Sequence, residues 1–311
     1  MSVNFGCDIL VTGGSGLLGN GLGRMGLSDT VFVAREDGDL TNYQNVISIF
    51  EKYRPRRVIH AAAEVAGIGG NIIHSGEYYR NNILINTNVL ECARVFQVER
   101  LISFMSTCIF PVDAPYPLNE RDIHLGPPHP SNFGYAYAKR MLEVQTVAYR
   151  QEWQCDFLCA IPTNMYGPHD FWNVEESHVV PSLIHKCFQA KAQGEKLSVW
   201  GTGSPLREFV FIDDIARLVI WMLDNYTETS PLILSSGIET SIRELVEEVV
   251  SSIGFDGEVE WDSSKPDGQH RKPSDPAKLR KYLPDFAFTS VDDGIDETVK
   301  WFVNNYPNLR L

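Results

Sequence analysis

Tyr135 and Lys139 stand four residues apart in the run Tyr135-Ala136-Tyr137-Ala138-Lys139, a spacing that puts both on one face of a helix. An ammonium beside a phenol favours the phenolate and lowers the phenol's pKa. That suits a group that must give a proton to a carbonyl under reduction near neutral pH. Tyr137 has no lysine four residues on, so it is not the partner. Alone, the pair is a common surface pattern, and its weight comes from what precedes it. Ser106 ends an apolar run in Met105-Ser106-Thr107-Cys108-Ile109-Phe110-Pro111, where its hydroxyl either meets a substrate carbonyl or caps a turn. Earlier still lies Thr12-Gly13-Gly14-Ser15-Gly16-Leu17-Leu18-Gly19. Here Gly13, Gly16 and Gly19 permit a tight turn, close approach of backbone to a diphosphate, and close packing of a helix on a strand. The helix that follows offers free N–H groups and a positive dipole end to phosphates. Arg35 closes the second apolar run; NAD enzymes place an acid there for the ribose hydroxyls, whereas Arg suits a 2′-phosphate. Glu36 follows at once and blurs the distinction. Asp39 and Leu40 fall where an adenine would be reached.

Positioning these residues takes alternating strands and helices. Asp8–Thr12, Val31–Ala34, Arg57–Ala62, Leu101–Met105 and Asp156–Ile161 read as strands. Asn42–Tyr53 and Tyr135–Glu152 read as helices between them. A parallel sheet gathers ligands at the carboxyl ends of its strands, which brings the glycine loop, Ser106 and the Tyr/Lys face together. After Pro162 the pattern changes, with Pro, Gly, His and aromatics clustered up to Trp172. A helix over Val179–Ala192, a strand over Leu197–Trp200 and a strand over Glu208–Phe211 running into a helix over Asp213–Asn225 follow, and a helix over Val291–Asn304 closes the chain. The predicted fold is α/β: a Rossmann-type doubly wound parallel sheet with a smaller α/β C-terminal substrate domain. Residues 1–165 and about 208–235 form the first part; about 166–207 and 236–311 form the second.

Composition narrows the partners. The 311 residues are 43% hydrophobic and 22% charged, with a net charge of −13, which is ordinary globular composition. So acidic a chain lacks the broad basic field of a nucleic-acid binder, yet a few converging cations still hold an anionic ligand. No apolar run reaches membrane-spanning length, so no membrane partner is expected. The start, Met1-Ser2-Val3-Asn4-Phe5-Gly6, has no basic stretch followed by a long apolar one, and a cytoplasmic location is expected. The six cysteines are scattered and read as reduced thiols; the histidines form no metal-ligand cluster.

The chain resembles the extended short-chain dehydrogenase/reductase family over its whole length. More narrowly, it is similar to the epimerase-reductases that make GDP-L-fucose. The resemblance rests on Ser106 to Pro111, Phe133-Gly134-Tyr135 to Arg140, Ile161-Pro162-Thr163-Asn164-Met165-Tyr166-Gly167-Pro168-His169-Asp170, Ser177-His178-Val179, Trp200-Gly201-Thr202-Gly203, Arg207-Glu208-Phe209 and Lys265-Pro266-Asp267-Gly268. It implies NADPH as cofactor and GDP-4-keto-6-deoxy-D-mannose as substrate, epimerised at C3 and C5 and reduced at C4. It also implies Cys108 as base, His178 as acid, and Ser106, Tyr135 and Lys139 as the remaining catalytic groups. Gly13 to Gly19, Arg35, Asp39, Leu40, Ala62, Lys139, Pro162, Thr163, Asn164, Met165 and His178 would line the cofactor. Lys186, Trp200, Arg207 and Asp267 match positions that hold the GDP part. Without the resemblance, Cys108 reads as a strand-end thiol and His178 as a helix-cap imidazole. A homodimer is implied too, through helices over Ile83–Phe96 and Tyr137–Tyr149. Related 4,6-dehydratases usually carry an acidic pair where Cys108-Ile109 stand, which argues against them. A simple 4-epimerase keeps its NAD bound and needs no Cys. A non-catalytic NADP sensor on this fold has usually lost the Tyr or the Lys, and both are present.

Overall fold

Runs such as Ile9-Leu10-Val11 and Leu101-Ile102 are apolar at every position rather than at alternate ones, and they become strands covered on both faces. The computed structural model describes residues 5–65, 67–265 and 267–311. Met1–Asn4, on which part of the N-terminal expectation rests, and Pro266 of the Lys265–Gly268 motif lie outside the described residues. In chain order the elements are β1 (Cys7–Thr12), α1 (Leu17–Arg24), β2 (Thr30–Val33), α2 (Tyr43–Tyr53), β3 (Pro55–His60), α3 (Ile68–Ile73), α4 (Ser75–Val95), β4 (Arg100–Phe104), α5 (Phe133–Trp153), β5 (Phe157–Pro162), β6 (Asn164–Tyr166), α6 (Val179–Gln193), β7 (Leu197–Trp200), β8 (Leu206–Arg207), β9 (Phe209–Phe211), α7 (Ile212–Asn225), β10 (Leu232–Leu234), β11 (Thr240–Ser241), α8 (Ile242–Ile253), β12 (Val259–Asp262), α9 (Ala277–Tyr282) and α10 (Val291–Asn305).

Six strands form one parallel sheet in the order β10-β5-β4-β3-β1-β2. The chain builds outward from β1 to β2 and then returns to the other side of β1 with β3. The crevice at that reversal is where such sheets take ligands. One face of the sheet packs Leu10, Val58, Leu101 and Phe157 against Phe50 of α2, Leu90 of α4 and Leu142 of α5. The other packs Val11, Ile59 and Leu158 against Leu22 of α1 and Ile215 and Met222 of α7. A third apolar cluster gathers Trp172, Ile184, Val199, Leu245, Val299 and Phe302 from α6, β7, α8, α10 and the segment before α6. Beside it β7 pairs with β12 in parallel, and β8 pairs with β11 in antiparallel fashion.

Several boundaries differ from the sequence expectation. β3 starts at Pro55 and stops at His60, and α5 starts at Phe133. β2 ends at Val33, so Arg35 does not end a strand but opens a short 3₁₀ turn over Arg35–Asp37. Asn42 is not the first helical residue but the cap of α2; its side chain accepts the Gln44 N–H, as Asn does when it competes with the backbone. Glu208 lies between β8 and β9 rather than in a strand. All six cysteines are free. Among the described residues, no helix is long and apolar enough to cross a membrane.

Candidate active site

The cofactor cradle is built where β1 meets α1. Gly13 has φ of +74°, and a Cβ there would sit 2.8 Å from the Ala62 nitrogen, so the loop and the end of β3 touch backbone to backbone. The Gly14 N–H is taken by Val33 O at 2.8 Å and the Gly16 N–H by Gly13 O at 2.9 Å. α1 therefore begins with first-turn N–H groups that have no partner within the helix, and its cap, Gly16, supplies no side chain to satisfy them. That geometry can cradle a diphosphate. Leu18 is buried in the core and Leu17 packs against it, so these two meet a ligand only through backbone. Beneath the loop, Thr12 Oγ1 bonds His60 Nδ1 at 2.8 Å, and His60 Nε2 bonds Asn86 of α4 at 3.1 Å. Burial pushes the His60 pKa down to about 3, so the ring is a neutral link between β1, β3 and α4.

Around the cradle, Arg35 extends into solvent with 88% of its side chain exposed and meets Glu64 at 3.4 Å. Glu64 also takes the Asn81 amide at 2.8 Å; nothing in the spacing pointed to this competitor for Arg35. Leu40 is held through its carbonyl by Asn88 of α4 at 2.9 Å. Asp39 is exposed, and one of its oxygens accepts both the hydroxyl and the N–H of Thr41, which lowers its pKa. At the far end, Pro162 closes β5, Met165 packs on the sheet cluster, and Asn164 donates to Glu208 O at 2.7 Å. The Thr163 hydroxyl is buried with no partner among the described residues. A glycine cradle that a Cβ would fill and a buried orphan hydroxyl beyond the end of β5 fit a dinucleotide laid across the sheet edge.

The catalytic cluster forms between β4 and α5. A 3₁₀ turn over Thr107–Ile109 follows β4, and Ser106 caps it by accepting the Cys108 N–H at 3.4 Å. The Gly134 N–H donates to Ser75 Oγ at 3.2 Å, anchoring the start of α5 on α4. Lys139 is buried and donates from Nζ to Phe104 O at 2.9 Å, with its ammonium 6.0 Å from the centre of the Tyr135 ring. Burial lowers the Lys139 pKa to about 8, while Cys108 and Cys159 oppose the fall. Burial also raises the Tyr135 pKa, and Cys108 adds to the rise. This corrects the expectation of a lowered phenol: desolvation outweighs the ammonium, whose bond goes to a carbonyl. Tyr135 thus rests as a phenol, the protonated form that a donor requires. The Cys108 thiol is likewise raised by burial, with the Ser106 hydroxyl, Lys272 and Lys139 pulling it back. Ser106, Cys108, Tyr135 and Lys139 share one electrostatic neighbourhood. His178 stands apart as the cap of α6. The loop before it is tied to the start of α3 by the Gly67 N–H, its cap, donating to Glu176 O at 2.9 Å. Among the described residues the His178 ring bonds none of the other four, and its surroundings favour the neutral imidazole.

The expected substrate residues lie at the end of β7 and beside β8. Trp200 is 60% exposed and carries the Lys186 and Lys265 ammonium groups each 5.4 Å from its ring centre. Arg207 is half-buried and feels Tyr116 and Asp267. Asp267 is occupied: it accepts the Thr202 N–H at 2.7 Å and the Thr202 hydroxyl at 2.8 Å. It therefore also clasps the two loops that frame the cleft. Lys272 went unread in the sequence, where one more lysine after a glycine turn carries no spacing signal, yet its charge acts on both Cys108 and Arg207.

Residues 9–234 match the model of the NAD dependent epimerase/dehydratase family. The chain is 44% identical to a GDP-L-fucose synthase of Dictyostelium discoideum, covering 97% of each protein. It is 31% identical to the Escherichia coli GDP-L-fucose synthase, covering 97% of this chain and 98% of that one. Its fold superposes with a TM-score of 0.95 on a crystal structure of a GDP-L-fucose synthetase from Naegleria fowleri bound to NADP, 39% identical, over 100% of this chain and 97% of that one.

Proposed function

The chain belongs to the NAD dependent epimerase/dehydratase family and, within it, to the GDP-L-fucose synthases, and from that premise we propose how its residues divide the work. It is an NADP-dependent enzyme that epimerises GDP-4-keto-6-deoxy-D-mannose at C3 and C5 and reduces C4, giving GDP-L-fucose. Bound in the glycine cradle, NADPH supplies the hydride for the reduction. The rest is the protein's work.

Protons on carbons beside a ketone are acidic because the enolate spreads the charge. Cys108 takes such a proton, and His178, after picking up a proton from solvent against the pull of its surroundings, returns one from the opposite face. Tyr135, resting as a phenol, donates a hydrogen bond to the C4 oxygen, steadying the enolate, and passes its proton to that oxygen during reduction. Lys139 offsets the phenolate left behind, and Ser106 bonds both the thiol and the C4 oxygen. Cys108 must be a thiolate to act, and Ser106, Lys272 and Lys139 are the groups that favour it against burial. Lys186 and Arg207 hold the diphosphate, Trp200 packs on the guanine, and Asp267 takes a sugar or ribose hydroxyl.

The observation that carries this division is the half-buried Cys108 thiol in the same neighbourhood as Tyr135 and Lys139. Incubation with NADPH and GDP-4-keto-6-deoxy-D-mannose, with the product sugar read by NMR, tests it. GDP-L-fucose is expected; a 4-reduced sugar that keeps the original C3 and C5 configurations would remove the epimerase role.

The third apolar cluster is, in this reading, the nucleotide-sugar half of the molecule, residues about 166–207 and 236–311, with the sheet as the NADP half. The active form is a homodimer in the cytoplasm. Support for the dimer comes from the outer surface of the α4–α5 pair, which leaves Tyr79, Val95, Val144 and Trp153 exposed.

A further inference from the structure

The segment after α10 crosses back to the glycine loop. Leu309 packs in the third apolar cluster, and the Trp172 N–H donates to Arg310 O at 2.9 Å. From that anchor the Arg310 side chain runs over the Phe171 ring, with its guanidinium carbon 5.8 Å from the ring centre. It ends beside the cradle: a Cβ built on Gly16 would lie 3.9 Å from Arg310 Nη1. Gly16 caps α1, the helix whose first-turn N–H groups face a phosphate.

Arg310 has no ion-pair partner among the described residues. The charge it does feel is Asp170, which is buried, with one oxygen accepting the Phe171 N–H at 2.7 Å and the other unpaired. Burial raises the Asp170 pKa to about 7, so a substantial part of it is protonated near neutral pH. This acid thus offsets the guanidinium charge only in part. A planar five-donor cation left without a carboxylate, beside the cap of a phosphate-binding helix, is matched to a second anionic ligand. We propose that Arg310 is a cofactor-binding residue: its guanidinium takes the diphosphate of the dinucleotide from the side opposite the α1 N–H groups. The inference rests on the NADPH reading above and adds a residue from the far end of the chain to it. Cofactor and tail then hold each other, because the backbone that aims Arg310 belongs to the third cluster rather than to the sheet.

The test is equilibrium binding without sugar substrate, read by NADPH and NADH fluorescence, on wild type, Arg310→Gln and Arg310→Lys, with inorganic pyrophosphate as competitor. Arg310→Gln is expected to raise the Kd for NADPH and NADH together by about tenfold, leaving their ratio unchanged, because the diphosphate is common to both. It should weaken competition by pyrophosphate in parallel, while Arg310→Lys, which keeps the charge and loses the fork, should lie between. Unchanged Kd values in a variant that melts like wild type would overturn the proposal. So would a loss confined to NADPH, which would assign Arg310 to the 2′-phosphate. If Arg310→Gln does not fold, Arg310→Lys with wild-type affinities for both cofactors and for pyrophosphate overturns it equally. Failure of the wild type to bind NADPH would instead defeat the cofactor reading.

Discussion

The proposed proton donor at C4 is Tyr135, a phenol whose pKa burial raises, which keeps it protonated. Tyr135→Phe removes the proton and little volume, so NADPH oxidation should fall by a factor of about 10² or more. NADPH affinity should stay within a few-fold, since the cradle is elsewhere; wild-type turnover in steady-state assays of the variant would take Tyr135 out of the donor role. Arg35 raises a different question, because among the described residues its ion-pair partner is Glu64 at 3.4 Å. A 2′-phosphate competes with that carboxylate, and Arg35→Ala should weaken NADPH by about tenfold while leaving NADH nearly unchanged. Equal losses for both in a titration would show that Arg35 does not read the phosphate. At this scale the sequence spoke through spacing. Tyr135 and Lys139 were legible because four residues make one helical face. Lys272 and Arg310 were not, because an isolated cation has no spacing to read and its place depends on contacts far along the chain. Asp39 shows the reverse: a plausible adenine-side acid whose oxygen is taken by Thr41 two residues away.

Elements hold these residues through a few buried polar links whose protonation matters. Thr12, His60 and Asn86 tie β1, β3 and α4 under the glycine loop. The segment between β6 and α6 carries Asp170, with its folded pKa raised from 3.8 to about 7 by burial, against a partial lowering by the Phe171 N–H and Arg310. Between those two values the folded protein binds a proton that the unfolded chain releases. This contribution to stability is therefore largest below the unfolded pKa and declines as pH rises through the window. Asp170→Asn keeps the acceptor for Phe171 and removes the titration. The Tm of the variant should drop less than that of wild type between about pH 5 and about pH 8, by a few degrees. Parallel melting curves with the same pH slope would show that Asp170 is ionised in the fold. The main strands and helices were legible from apolar runs and periodicity. The short 3₁₀ turns after β2 and β4 were not, because Ala34–Asp37 and Ser106–Ile109 are shaped by side chains bonding their own backbone. The sixth strand, Leu232–Leu234, is three residues between Pro231 and Ser235, and only its pairing with β5 makes it a strand.

At the scale of the whole molecule, the tail links the third apolar cluster, where Leu309 packs, to the glycine loop of the sheet, where Arg310 comes beside Gly16. Exposed Val95, Val144 and Trp153 on the α4–α5 surface would give the proposed homodimer an apolar seam. Sedimentation equilibrium at micromolar concentration should report two chains, and a monomer there would contradict the dimer. One cleft is also required to run two reactions in sequence, and the two must be separable by residue. In the proposed division, hydride transfer uses Tyr135, Lys139 and a polarised C4 carbonyl but no base at C3 or C5, whereas epimerisation uses Cys108 as its base. Cys108→Ser keeps the turn after β4 and replaces the thiol by a hydroxyl far less acidic. The most direct measurement is NMR of GDP-4-keto-6-deoxy-D-mannose incubated with Cys108→Ser in deuterated water, with and without NADPH. Deuterium should fail to enter C3 and C5, while NADPH is still slowly oxidised to a 4-reduced sugar of unchanged C3 and C5 configuration. Exchange at the wild-type rate would mean that another group is the base and that the assignment of Cys108 is wrong.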